Sequence, residues 1–504
     1  MFAQYTSSKK HAPMRPFILV SLFLISGSLS AQIFTEASQV PFPGVWNGSI
    51  AFADIDGDND QDVLITGDGQ VVHMLFVNDG QGNYTPFASA SLKIVKRGDV
   101  AFADVDNDND VDLMITGWCE ECNSQEKTIS RLYINDGTGN FSEVTDTPFK
   151  AVYYSSIAFA DMDGDQDQDV LITGNISWGV SATLYKNDGT GSFTEVPGTP
   201  FTGIVEGTAK FVDVDGDSDQ DVFISGLNDS LKPVVHLYLN DGLGNFTELG
   251  TTIKPLGRSS FDFADVDGDS DPDLFITGEF REILEIHYKA SIYLNDGTGH
   301  FFEDAKNSFE GIVDGSVLFE DVDQDEAPDL LITGRNFTGQ ALTKLFLNNG
   351  QGVFDETPEV ALAKVDYSSV AFADVDGDDD VDLLITGRTK EPGQPPTLVS
   401  ELYFNQADSF PVNATEIVRF NSSISVFPNP AGNDFLNVMF TSVKFEPIEI
   451  RLYDSTGRQV FDMQTFSVIG INIISVNVKE KTTGLYFLLL KTPEKEVQTT
   501  VVIQ

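Results

Sequence analysis

An acidic loop close to Asp-x-Asp-Gly-Asp-x-Asp-x-Asp recurs seven times in this chain of 504 residues, starting at Asp54, Asp104, Asp161, Asp213, Asp265, Asp321 and Asp374. Successive starts lie 50, 57, 52, 52, 56 and 53 residues apart, and a self-similar period of that length marks a propeller, solenoid or array. Nothing else in the sequence restricts the fold as strongly.

Each copy reads as the same small unit. An alternating segment such as Ile50-Ala51-Phe52-Ala53 precedes the loop and has the period of two of a strand with large residues on one face and small ones on the other. A continuous apolar run follows the loop, Val63-Leu64-Ile65 in the first copy and Leu383-Leu384-Ile385 in the last, as in a strand buried on both sides. A third strand ends near Leu132-Tyr133 and meets Asn135-Asp136-Gly137-Thr138-Gly139, a turn of residues that tolerate positive φ, before a fourth short strand at Phe141. Four antiparallel strands per copy make a propeller blade. The phase adds that Phe34-Thr35-Glu36 matches the end of a repeat, as in Phe193-Thr194-Glu195, so the N-terminal strand is expected to complete the last blade and close the ring. Phe410 is the competing candidate for that strand.

The formal charge of −48, from 78 acidic and 30 basic residues, repels nucleic acid and anionic lipid and makes cations the natural partners. The loops hold 34 of those acids at their odd positions. Such a dense hard-oxygen cage suits calcium, with loop positions 1, 3, 5 and 9 as side-chain ligands and a main-chain carbonyl at position 7. The ligands are then Asp54, Asp56, Asp58 and Asp62; Asp104, Asp106, Asp108 and Asp112; Asp161, Asp163, Asp165 and Asp169; Asp213, Asp215, Asp217 and Asp221; Asp265, Asp267, Asp269 and Asp273; Asp321, Asp323, Asp325 and Asp329; and Asp374, Asp376, Asp378 and Asp382. The sixth copy places Ala327 at position 7 and keeps the other four carboxylates. Seven equivalent carboxylate sets argue against a glycosidase pair, since an active site is one place.

Loop, strand and turn together resemble the FG-GAP/VCBS repeats, the seven-bladed calcium-loop propellers also found at the N-terminus of integrin α chains, from about Ile33 to Phe410. The resemblance implies an all-β seven-bladed propeller over residues 32–415 with calcium as its ion. Two departures stand out. The Gly-Ala-Pro that names the family is absent, and position 6 is Asn59, Asn109, Gln166, Ser218, Ser270, Glu326 and Asp379 where the related EF-hand loop has Gly. Position 4 is Asn107 and Gln324 in the second and sixth copies, and the sixth site is expected to be the weakest.

From residue 421 to 504 a different β-rich segment carries Val426-Phe427-Pro428-Asn429-Pro430-Ala431, Leu452-Tyr453-Asp454-Ser455-Thr456-Gly457-Arg458 and Gly484-Leu485-Tyr486-Phe487. That order is similar to the C-terminal sorting domain of the type IX secretion system of Bacteroidetes, a small immunoglobulin-like β-sandwich. The resemblance implies engagement with that machinery and a mature protein that is secreted or held on the outer cell surface. Residues 1–31 agree: Lys9, Lys10 and Arg15 precede an apolar stretch from Phe17 to Ile25 that is too short to span a bilayer, with Met14 as an alternative start. No segment of the mature chain reads as transmembrane.

Cys119 and Cys122, the two cysteines, cannot complete a zinc tetrahedron and read as a local disulfide. The loops opposite the acidic face vary. They bear Trp46-Asn47, Lys96-Arg97, Tyr153-Tyr154, Val205-Glu206, Gly257-Arg258, Val313-Asp314 and Asp366-Tyr367, expected to ring the channel mouth. Of these Trp46, Lys96, Arg97, Tyr153, Tyr154, Arg258 and Tyr367 are the candidate ligand contacts, helped by loops around Trp118, Trp178 and Arg281. The leading expectation is a non-catalytic binding or adhesion protein for glycan or protein. No nucleophile–base pair is apparent, and no His joins the ring. A propeller-based polysaccharide lyase or hydrolase and a purely structural surface component are the alternatives.

Overall fold

The computed structural model describes residues 33–406 and 425–503, apart from short segments within them. The export signal, His73, Phe410 and the motif residues at 428–431 and 455–457 lie outside the described residues. Every described element is a β-strand.

Residues 33–406 form seven antiparallel sheets, one per copy. Tyr153–Ala160, Asp169–Ile176, Gly179–Asn187 and Phe193–Glu195 pair in that order in the third sheet, and the other copies repeat the plan. The loop-following strand is buried on both faces, as in Asp62–Ile65, because its alternate side chains enter two different cores. Leu64 joins Leu113 and Tyr133 of the second copy, whereas Val63 and Ile65 join Leu384 and Leu402 of the seventh. Seven such cores, each shared by two neighbouring copies, follow one another around a closed cycle. The inner strands close the same cycle, with Ile50–Ala53 packing against both Val100–Ala103 and Asp366–Ala373. This is a β-propeller.

Closure uses the N-terminal strand. Phe34–Glu36 pairs with the strand Thr397–Asn405, in the register Phe34↔Asn405, Thr35↔Phe404 and Glu36↔Tyr403. Phe34, fully buried, enters the core between the sixth and seventh copies. First and last segments thus share one sheet, which leaves no open edge between them.

A second closure runs through the acidic loops. In every copy the position-9 Asp accepts the main-chain N–H of position 2 on Oδ2 at 3.0–3.2 Å. Its Oδ1 accepts the main-chain N–H of the turn Asn in the same copy at 2.8–2.9 Å. The Nδ2 of that Asn then donates to the position-2 carbonyl of the preceding copy at 2.7–2.9 Å, and Asn78 to Val375 completes the circle. A buried carboxylate left without such donors would carry its full desolvation cost.

Residues 425–503 form two sheets. Ser425–Phe427, Phe435–Ser442 and Gly470–Asn477 make one, and Gln459–Phe466, Pro447–Asp454, Gly484–Lys491 and Glu496–Ile503 the other. Leu436, Val438 and Val476 from the first face Ile450, Leu452, Leu488 and Leu490 from the second across one core, which makes the segment a β-sandwich.

Replacing Asn240 by Leu should strand the buried Met162 carbonyl while leaving the volume nearly constant. A loss of about 1–3 kcal/mol is expected, read as a lower denaturant midpoint; an unchanged midpoint would show that the Asn bridge contributes nothing.

Candidate metal centres and channel mouth

The nine-residue loops keep their shape through two left-handed residues. Position 6 has φ between +67° and +76° in all seven copies although none has Gly there, and Asn107 and Gln324 adopt the same hand at position 4. The departures at positions 6 and 4 therefore leave the backbone path intact, at a steric cost of roughly 1–2 kcal/mol per residue. In the first loop Asp54 accepts the N–H groups of Gly57 and Asn59 at 2.8 and 2.9 Å, and Asp58 accepts that of Asp60 at 3.1 Å. The loop thus folds around its own carboxylates.

Those carboxylates converge. Ligand atoms of Asp54, Asp56 and Asp58 lie within 4.8 Å of one another, as do those of Asp104, Asp106 and Asp108 and of Asp265, Asp267 and Asp269. In the third and fourth loops the converging sets are Asp161, Asp163 and Asp169, and Asp213, Asp215 and Asp221. These clusters are placed to hold a metal ion. A second observation fits that reading: Oδ1 of Asp56, Asp106, Asp163, Asp215, Asp267 and Asp376, always loop position 3, is buried without a hydrogen-bond partner. A hard cation is the partner such an oxygen lacks.

The other positions separate by role. Position-7 side chains turn away from the cluster and lie under the glycine of the Asn-Asp-Gly turn, so that a Cβ on Gly80, Gly137, Gly189, Gly242 or Gly297 would come within 2.6 Å of a carboxylate oxygen of Asp60, Asp110, Asp167, Asp219 or Asp271. In these five copies that orientation leaves the position-7 carbonyl to face an ion. Position 9 is built into the fold, with both oxygens taken by N–H donors, and has only its remaining lone pairs for a metal. Burial pushes these carboxyls up, to about 7 at Asp62, Asp273 and Asp382, about 6 at Asp112, Asp169 and Asp221, and about 8 at Asp329. Burial and the neighbouring Asp378 raise Asp376 to about 6.

The opposite face opens into the central channel, a cavity of about 560 Å³. Of the fourteen positions expected to ring its mouth, only the second of each pair lines it: Asn47, Arg97, Tyr154, Glu206, Arg258, Asp314 and Tyr367. The first of each pair lies one step outward and faces the loop-following strand, as in Lys96↔Trp118, Tyr153↔Asn175 and Asp366↔Arg388. A local backbone reversal is the physical reason. All seven inner residues have φ between +47° and +55°, and the strand register breaks beside them in four copies. Main-chain bonds link several neighbours, Asn47 N–H to Tyr367, Arg97 to Asn47 and Tyr367 to Asp314.

Their side chains form a lattice of rings and ion pairs. Trp46 meets Tyr367 edge-on at 5.1 Å, and the Arg388 guanidinium lies 4.9 and 4.8 Å from these two rings while it pairs with both oxygens of Asp366. Arg335 binds Asp314 at 2.7 Å, and Arg258 binds the same Asp314 with Glu279 at 3.7 Å and Glu206 at 3.9 Å. Tyr153 packs between Trp118 and Tyr154, and Arg97 lies 5.7 Å over Tyr154. Beside the mouth, Tyr154, Arg258, Glu206, Phe280 and Arg281 line a pocket of about 310 Å³. Trp178, 95% exposed, stands apart over a groove shared with Asn228, Asp229 and Ser230. Of the six arginines between residues 33 and 406, five gather on this face. Sequence reasoning missed Glu279, Arg335 and Arg388; the signal for them is the variable residue after each Thr-Gly. Cys119, buried at the end of its strand, is bonded to Cys122 across the hairpin tip.

The FG-GAP-like repeat model matches residues 54–115, 122–172, 161–224, 213–276 and 321–385, together more than half of the chain, and the protein belongs to that family. Residues 425–504 match the secretion system C-terminal sorting domain, which directs the protein to secretion or to the outer cell surface. No helix is long and apolar enough to cross a membrane among the described residues. No curated protein sequence matches the chain. Among solved structures it is similar to a triple arginine-to-alanine mutant of AofleA from Arthrobotrys oligospora, at 9% identity and TM-score 0.37 over 63% of this chain and 89% of that one. It is also similar to Trypanosoma rangeli sialidase, at 10% identity and TM-score 0.34 over 94% and 87%. Neither resemblance bears on activity.

The raised position-9 carboxyls set a pH dependence. Between about pH 4, where a free Asp loses its proton, and the folded values of about 6 to 8, the ion-free folded state holds protons that the unfolded chain releases. In chelator, stability should therefore fall as pH rises through this window, and a divalent cation should flatten the slope. Melting temperatures across pH 4–8 with and without chelator test this; a slope of the opposite sign in chelator would refute it.

Proposed function

We propose that this protein is a calcium-stabilised, non-catalytic binding protein of the cell exterior, with its ligand, a glycan or a protein, held at the channel mouth. Residues 32–415 would form the binding unit, and residues 421–504 would be the address read by the type IX machinery. One observation carries the reading. Left-handed backbone suits Gly, yet the seven mouth positions are Asn, Arg, Tyr, Glu, Arg, Asp and Tyr. Strain of about 1–3 kcal/mol per residue that is kept in place of the relaxed residue points to side chains needed for their chemistry. Arginines and aromatics are also the types that dominate binding energy.

Calcium is the ion that best fits the loops, since they offer converging carboxylates and main-chain carbonyls, and six of them hold a position-3 oxygen that is buried without a hydrogen-bond partner. On this reading its work is structural, cancelling repulsion in loops that the Asp–Asn circle ties to both neighbours. Calcium should raise the melting temperature of the full chain well above its value in chelator; equal values would remove the metal from the proposal.

Glycan arrays and extracellular-matrix proteins, screened in calcium, should yield a saturable ligand. Tyr154→Ala and Arg258→Ala should each weaken it about tenfold to a hundredfold, while Tyr153→Ala should cost less. Equal binding by all variants would place the ligand elsewhere, and release of reducing or unsaturated ends from a bound polysaccharide would make the protein an enzyme.

A further inference from the structure

One difference among the seven acidic loops places a basic side chain on the acid cluster. The residue before the turn Asn is apolar in six copies, at Val77, Ile134, Leu239, Leu294, Leu347 and Phe404, and is Lys186 in the third. From the end of its strand, Gly179–Asn187, Lys186 extends its ammonium onto Oδ2 of Asp163 and lies 3.1 Å from Oδ2 of Asp165. Asp163 and Asp165 occupy loop positions 3 and 5, the two carboxylates that in the first, second and fifth loops converge with position 1. The third loop shares with the fourth a converging set of positions 1, 3 and 9, here Asp161, Asp163 and Asp169, so the lysine contact alone sets it apart.

We infer that Lys186 is a tethered cation that takes the place of calcium in the third loop, so that the propeller binds one ion fewer than it has loops. The inference rests on the reading of the acidic loops as calcium sites. A calcium ion gathers six to eight oxygens at about 2.3–2.6 Å, and a primary ammonium seated on two of those carboxylates both fills the space and supplies the charge. Calcium entry requires Lys186 to leave, so the ion must first make up for the ion pairs that the ammonium gives up with Asp163 and Asp165. The lysine also removes the third loop's dependence on dissolved ions, because its charge is carried by the chain.

Calcium stoichiometry tests the inference directly. The full chain, titrated with calcium and weighed by native mass spectrometry, should fill the third loop at least tenfold more weakly than the others. K186L, which restores the side chain found at Leu239 and Leu294, should bind one calcium more than wild type at the same free calcium. K186Q keeps much of the length without the charge and should gain the same ion, which guards against a packing fault in K186L. The reciprocal L239K should lose one ion at the fourth loop. Equal, non-zero stoichiometry in wild type, K186L and K186Q would overturn the inference while sparing the calcium reading; no bound calcium in any of them would overturn both.

Discussion

The position-9 aspartate is the residue on which this propeller most depends. Each of its oxygens receives a main-chain N–H, one from its own loop and one from the turn Asn, and that Asn reaches back to the carbonyl of the loop before. The acidic loop is therefore a joint between sheets as well as a cluster of charge. Inner strands of neighbouring sheets do not form ladders as strands within a sheet do, so the shared cores, the joints at this rim, single main-chain bonds at the mouth and side-chain bonds in the channel hold the cycle together. Ser49 on Asp99, the Ile157 N–H on the same Asp99, and Lys210 on Asp262 serve the channel side.

This arrangement places the acidic loops and the channel mouth on opposite faces. Loops and Asn-Asp-Gly turns share one face because the first-to-second and third-to-fourth connections of each sheet lie together. Repulsion among carboxylates, of about 1 kcal/mol per pair in water and more where water is excluded, is confined to that face and is open to relief by a cation. The far face is relieved of that constraint. There the chain concentrates arginines and rings, pairs Arg97, Arg258, Arg335 and Arg388 with carboxylates, and fixes the seven innermost residues in a left-handed conformation. The result is a polar rim around a cavity, its side chains already held by their pairings with one another.

Much of the plan was legible in the residues. The strand assignment, the burial of runs such as Val63-Leu64-Ile65 on both faces and the use of Phe34–Glu36 to close the last sheet follow from hydrophobic period and phase, which are local properties. The convergence of alternate loop carboxylates followed from their spacing, through positions 1, 3 and 5 in three loops and 1, 3 and 9 in two, whereas the left-handed turn at position 6 emerged only in the structure. The mouth was legible by halves. Counting back from each strand Phe found the right seven pairs, but nothing in Lys96-Arg97 or Tyr153-Tyr154 tells which partner faces the channel, because that depends on the sign of one φ angle beside a register break.

The sequence by itself determined the number of copies, their phase, the strand order within each, the acid clusters and the export address in the tail, since all of these repeat or lie within short stretches of chain. Only the tertiary structure decided that the turn Asn bridges copies, that five arginines share one rim, that the second residue of each mouth pair points inward and that Lys186 sits on Asp163. The bridging bonds join residues 78 to 83 positions apart, and 297 apart where the circle closes. Contacts at that separation arise from how seven sheets pack about an axis, and no local pattern of residue types encodes them.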